Sequence, residues 1–125
     1  MFNRSIILLL LLLLFSACNA ADNNISQVTS SALAQELGSD NKLVIVDVRE
    51  PTLFSKGHIP GAINLPYPGV RKSALVQLKP DQEIVFICHG GPMGDEMVNK
   101  LSARGYNNVR NLTGGMDDWR GPVEK

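Results

Sequence analysis

The chain has 125 residues, 44% of them hydrophobic, with 12 basic against 12 acidic side chains and a formal net charge of zero. That length suits one domain with its own core and is too short for two. The even charge shows no basic patch, so composition offers no ground for a nucleic-acid partner.

The amino-terminal stretch does not belong to the domain. Arg4 and the terminus give a short positive region, Ile6 to Phe15 is an unbroken apolar run, and the small residues Ser16 and Ala17 precede Cys18. That order predicts a secretory signal over residues 1–17, because the run is shorter than the roughly 20 apolar residues a membrane span needs. Phe15-Ser16-Ala17-Cys18 resembles the lipobox of bacterial lipoproteins, with phenylalanine where leucine is usual. The resemblance implies lipidation at Cys18 and an exported domain, periplasmic or at the cell envelope, anchored to a membrane through acyl chains. Each buried methylene of such a chain contributes about 0.8 kcal/mol. Ordinary cleavage after Ala20 remains the alternative. Residues 18–27 then read as a tether, and residues 28–122 as the domain.

Ser30 or Ser31 can cap a helix that carries Leu33 and Leu37 on one face and stops at Gly38. Leu43-Val44-Ile45-Val46 is a continuous β-branched run and predicts a buried parallel strand. Pro51 to Phe54 suits a helical turn, Gly57 to Gly61 a loop, and Ala62-Ile63-Asn64 a short strand. Val70 to Leu78 has helical spacing. A second buried strand, Glu83 to Ile87, runs directly into Cys88. After a glycine-rich turn, a helix is predicted from Gly94 to Arg104, with Met97, Val98 and Leu101 inside and Gly105 as its left-handed stop. Tyr106 to Leu112 holds a last strand, and Met116 to Arg120 a helical turn. Strand and helix alternate, which predicts an α/β fold: a small parallel sheet with helices on both faces.

Ligands of open α/β sheets bind beyond the carboxyl ends of the strands, where Cys88 stands. The residues His89, Gly90, Gly91, Pro92, Met93 and Gly94 follow it. A glycine-rich curl there turns backbone N–H groups inward, and a helix amino terminus behind it favours a negative charge on sulfur or an anionic donor. Such surroundings raise the thiolate fraction of a cysteine. The bland alternative is a small buried cysteine that merely ends a core strand. The chain has two cysteines, and processing would take Cys18 out of play, leaving Cys88 a solitary thiol in an oxidising compartment.

Motifs around Cys88 go further. Val46-Asp47-Val48-Arg49-Glu50-Pro51, then Phe54 and Gly57-His58-Ile59-Pro60-Gly61-Ala62-Ile63-Asn64-Leu65-Pro66, resemble the amino-terminal signature of the rhodanese family. Asn111-Leu112-Thr113-Gly114-Gly115-Met116 and Asp118-Trp119 resemble its carboxyl-terminal signature. The resemblance implies a rhodanese-like fold and sulfur transfer through a Cys88 persulfide. The donor would be thiosulfate or another small persulfide source, and the acceptor a thiol, cyanide or a protein. It implies no cofactor and no metal. The backbone from His89 to Gly94 would cradle the substrate, with Asp47, Arg49 and His58 as supporting residues and Trp119 as a core anchor.

The loop departs from the family pattern. Met93 stands where arginine is usual, and Gly94 where serine or alanine is usual, so the loop lacks its own fixed cation. Asp95 and Glu96 make its entrance less welcoming to anions, while Arg71 and Lys72 are candidate replacements. Related phosphatases and arsenate reductases need an arginine at the position of Gly94, which disfavours phosphoryl chemistry. A non-catalytic sulfur-carrier or binding module, or a thiol redox sensor, remains the competing function, and these departures imply weak turnover of thiosulfate.

Overall fold

The computed structural model describes residues 25–39, 42–67 and 76–125. The signal, Cys18, most of the tether, Arg71, Lys72 and most of the predicted Val70–Leu78 helix lie outside the described residues.

Within them the chain runs β1 (Gln27–Val28), α1 (Ser30–Leu37), β2 (Leu43–Asp47), α2 (Pro51–Lys56), β3 (Ile63–Asn64), β4 (Glu83–Ile87), α3 (Pro92–Ser102), β5 (Val109–Leu112) and α4 (Gly115–Asp118). All five strands pair in parallel, in the order β1-β5-β4-β2-β3. The fold is α/β around a small parallel sheet, as expected. Strand β1 was not foreseen. A strand of two residues carries no periodicity, and this one exists because Gln27 and Val28 register against Asn111 and Leu112.

Side-chain alternation along β2 and β4 builds two cores. Val46, Val48, Ile84, Phe86 and Cys88 meet Met97, Val98 and Leu101 of α3 on one face. Ile45, Val85 and Ile87 meet Leu33 of α1 and Trp119 on the other. Helices therefore cover both faces, and each fully buried side chain of this size contributes about 1.5–3 kcal/mol.

Several boundaries differ from expectation for local reasons. Thr29, not Ser30 or Ser31, caps α1, its hydroxyl accepting from the Ala32 N–H at 3.2 Å. Helix α3 begins at Pro92 rather than Gly94, since proline suits a first helical position that needs no N–H. It ends at Ser102, with Gly105 following at φ +89°. Strand β5 starts only at Val109, and α4 closes at Asp118, where Trp119 turns extended.

Candidate active site

The strand order reverses at β2 and β4: from β2 the chain moves outward to β3, then returns to β4 and proceeds to β5. Crevices form at such switch points, beyond the strand ends. Here the two loops leaving that crevice carry the predicted residues.

The β2 loop is held from within. The Asp47 carboxylate accepts from the Arg49 backbone N–H at 2.9 Å and from the guanidinium Nε and Nη2 at 3.0 and 2.7 Å. Both residues are buried, and Arg49 Nη2 also donates to the Gly57 carbonyl at 2.8 Å. Asn64 Nδ2 donates to the carbonyls of Asp47 and Arg49. His58 lies beside this loop, stacked on Phe54 with ring centroids 3.7 Å apart. Its Nδ1 lies 2.9 Å from the Phe54 carbonyl, which can only accept, so Nδ1 carries the hydrogen. Glu124 closes over it: the His58 and Glu124 backbones exchange two hydrogen bonds of 2.9 Å.

The β4 loop is held from outside. Cys88 is 1% exposed, and the Gly91 N–H donates to its Sγ at 2.9 Å. Gly91 adopts φ +122°, a region that favours glycine. Met93 and Gly94 occupy the first turn of α3, where N–H groups lack intrahelical acceptors. Pro92 has no N–H, so it cannot donate in the cradle; its part is to open α3. The Met116 and Asp117 N–H groups reach back to the Cys88 and His89 carbonyls at 2.8 and 2.9 Å. A Cβ on Gly115 would strike those same carbonyls, which is why a glycine stands there.

Electrostatics at the mouth differ from the simple reading. Asp95 accepts from Gln27 Nε2 and Asn111 Nδ2 at 2.6 and 2.7 Å, and Glu96 accepts from the Tyr67 hydroxyl and pairs with Lys100. Both carboxylates are thus engaged with the scaffold. Glu50 instead meets the loop itself, its Oε2 3.2 Å from His89 Nε2. Its carboxyl is held below the ordinary value of 4.5, first by its own backbone N–H and then by the His89 ring. Met93 packs partly against the Cys88 core rather than standing free at the entrance.

The family model for the Rhodanese-like domain matches residues 29–122, three quarters of the chain and both loops of this crevice. The chain belongs to the rhodanese-like family. It is 35% identical over 102 residues to the "Putative sulfur carrier protein YrkF" of Bacillus subtilis, covering 82% of this chain but only 55% of that protein. It is 34% identical to the thiosulfate:glutathione sulfurtransferase of Saccharomyces cerevisiae, covering 78% of this chain and 79% of that one. The crystal structure of a rhodanese-like domain protein from Staphylococcus aureus superposes with a TM-score of 0.72 at 27% identity, covering 80% of this chain and 97% of that chain. This is a single rhodanese-like domain homologous to sulfurtransferases.

Sequence reasoning passed over Asn111 as a site residue. It is 1% exposed in β5, and its Nδ2 donates to the Gly91 carbonyl at 2.8 Å as well as to Asp95. The available signal was alternation: in the short strand holding Val109-Arg110-Asn111-Leu112, Asn111 takes the same face as Val109 and is buried with it, and a buried amide needs partners. Glu50 was noticed only as part of a motif.

Proposed function

We propose that this rhodanese-like domain moves sulfane sulfur through a persulfide on Cys88. One observation carries the reading: the sole cysteine among the described residues ends β4 at the switch point, with the Gly91 N–H directed at its sulfur. In the first half-reaction the Cys88 thiolate attacks the outer sulfur of thiosulfate. A new S–S bond forms to Cys88, the S–S bond of thiosulfate breaks, and sulfite leaves with that electron pair. In the second, an acceptor thiolate or cyanide attacks the outer sulfur, forming a persulfide or thiocyanate and returning Cys88 as thiolate. This is covalent catalysis by an activated nucleophile. The N–H groups of Gly91, Met93 and Gly94 suit the charge that develops on sulfur, as fixed donors do in an oxyanion hole.

A carrier reading has its own support in the Bacillus subtilis relative named for sulfur carriage. The two diverge in turnover. Incubation of the purified protein with thiosulfate should add one sulfur atom to Cys88 by mass spectrometry, and Cys88→Ser should accept none. Cyanide should then discharge the sulfur repeatedly in an enzyme and only once in a slow carrier. An added oxygen in place of sulfur would point to redox sensing, and persistent transfer by Cys88→Ser would end the persulfide mechanism.

We also propose that the domain is exported and held at a membrane through lipidated Cys18, a reading supported by the order of residues 1–18. Intact mass of protein from its native host decides it: acylation at Cys18 is expected, whereas an unacylated chain beginning at Ala21 would overturn the anchor.

A further inference from the structure

Asn111 has a feature that packing alone does not explain. Its Oδ1 is buried and has no hydrogen-bond partner, a rare condition for a polar atom in a folded protein. The amide cannot relieve this by turning over. Gly91 O and Asp95 Oδ1 both accept from Nδ2, so a flip would set Oδ1 against two acceptors. An apolar side chain of the same size would leave no such orphan.

The arrangement has a counterpart on α3. A Cβ at Gly94 would collide with the Asn111 carboxamide, so the residue must lack one for the amide to lie where it does. In this chain Gly94, where the family usually has serine or alanine, leaves that space to the Asn111 amide. The two residues form one device: glycine opens a space beneath the first turn of α3, and the amide fills it.

What the amide reaches is the carbonyl of Gly91, the residue whose N–H faces Cys88 Sγ. Glycine leaves its own dihedrals loose, and φ +122°, ψ −42° must be imposed from outside. One tether is the Asp95 N–H at 3.1 Å. Asn111 is the other, and it also holds the Asp95 side chain. Gln27 completes the chain of bonds, donating to Asp95 and accepting from the Thr113 hydroxyl at 3.2 Å. The short strand β1 and strand β5 are thus linked to the sulfur through Asn111.

We propose that Asn111 is a positioning residue for Cys88: by holding the Gly91 carbonyl, in the Gly91–Pro92 peptide, it fixes the Gly91 dihedrals that aim the N–H of the preceding peptide at the thiolate. The proposal rests on the reading of Cys88 as nucleophile, but its test does not require sulfur transfer. The rate of Cys88 alkylation by iodoacetamide is followed against pH in wild type, Asn111→Leu and Asn111→Ser, with urea midpoints measured alongside. Leucine keeps the branched outline and removes the N–H donors; serine frees space and keeps a shorter donor. The expected result is slower alkylation of folded Asn111→Leu at neutral pH, with its profile displaced upward by about one pH unit, a tenfold effect. Asn111→Ser should lie between. An unchanged profile in either folded variant overturns the proposal, and so does failure of both to fold, which would make Asn111 a scaffold residue only. If wild type alkylates as described but accepts no sulfur from thiosulfate, the sulfur-transfer reading fails while the positioning role stands.

Discussion

Two loops leave the same end of the sheet from adjacent strands, and they use polar groups in opposite ways. The β2 loop carries a full positive charge, yet Arg49 is buried and occupied by Asp47 and the Gly57 carbonyl. The β4 loop carries no cation among Gly90–Gly94, yet it aims a backbone donor at Cys88. The formal charge therefore shapes one loop, while dipoles serve the sulfur in the other. A peptide N–H fixed by its surroundings stabilises an anion without the desolvation that a buried guanidinium must overcome.

Removing Asp47 is the strongest way to break this contrast. Asp47→Ala leaves Arg49 buried and unpaired, a change that costs about 3–5 kcal/mol when one partner of a buried pair is lost. Urea unfolding should show that loss. Cys88 alkylation at low urea should remain near wild type as long as the domain is folded. A stable Asp47→Ala protein with a sluggish thiol would mean instead that Arg49 acts on the sulfur.

Putting a charge into the β4 loop sharpens the contrast from the other side. Met93→Arg introduces several N–H donors and a permanent charge at the family's usual position. The change should lower KM for thiosulfate with little effect on kcat, by at least roughly tenfold if the new charge-assisted bonds contribute about 1.5 kcal/mol or more. Salt should erode the gain. Because Met93 packs partly against the core, some loss of stability should accompany it. Tight thiosulfate binding by wild type, unchanged in the variant, would require a cation from elsewhere. Arg49, already engaged by Asp47 and the Gly57 carbonyl, is not that source.

The parts of this site that could be read from the sequence are those written in runs. Leu43–Val46 and Glu83–Ile87 announce central strands because both faces are buried, and Cys88 follows from its place at the end of one. The parts that could not be read depend on approach between distant segments. Gly115 is a glycine because the Cys88 carbonyl comes from another strand, and Gly94 because Asn111 does. Nothing adjacent in the sequence encodes either contact. Asp95 and Glu96 illustrate the same limit, since their charges read as features of the mouth until Gln27, Asn111 and Tyr67 are seen to hold them.

The smallest effect is expected where the two loops touch. Glu50, from the β2 side, meets His89, from the β4 side, and both side chains are exposed. Exposed pairs of this kind add little to stability, so Glu50→Gln should leave the urea midpoint nearly unchanged. Its charge still faces an anionic donor. Removing it should raise apparent thiosulfate affinity about twofold at low salt, as expected for a unit charge acting through water across about 10 Å. The direction with pH follows from the carboxyl being held below 4.5 in the folded protein. The ionised form is the one favoured by folding, so any stability it adds is present above that value and lost as pH falls through the lowered one. Wild type and Glu50→Gln should therefore differ in thiosulfate affinity at neutral pH and converge under acid conditions, when Glu50 takes up a proton and becomes as neutral as glutamine. A difference that persists unchanged in acid, or that survives high salt, would show that Glu50 acts through its hold on His89 and the shape of the loop rather than through its charge.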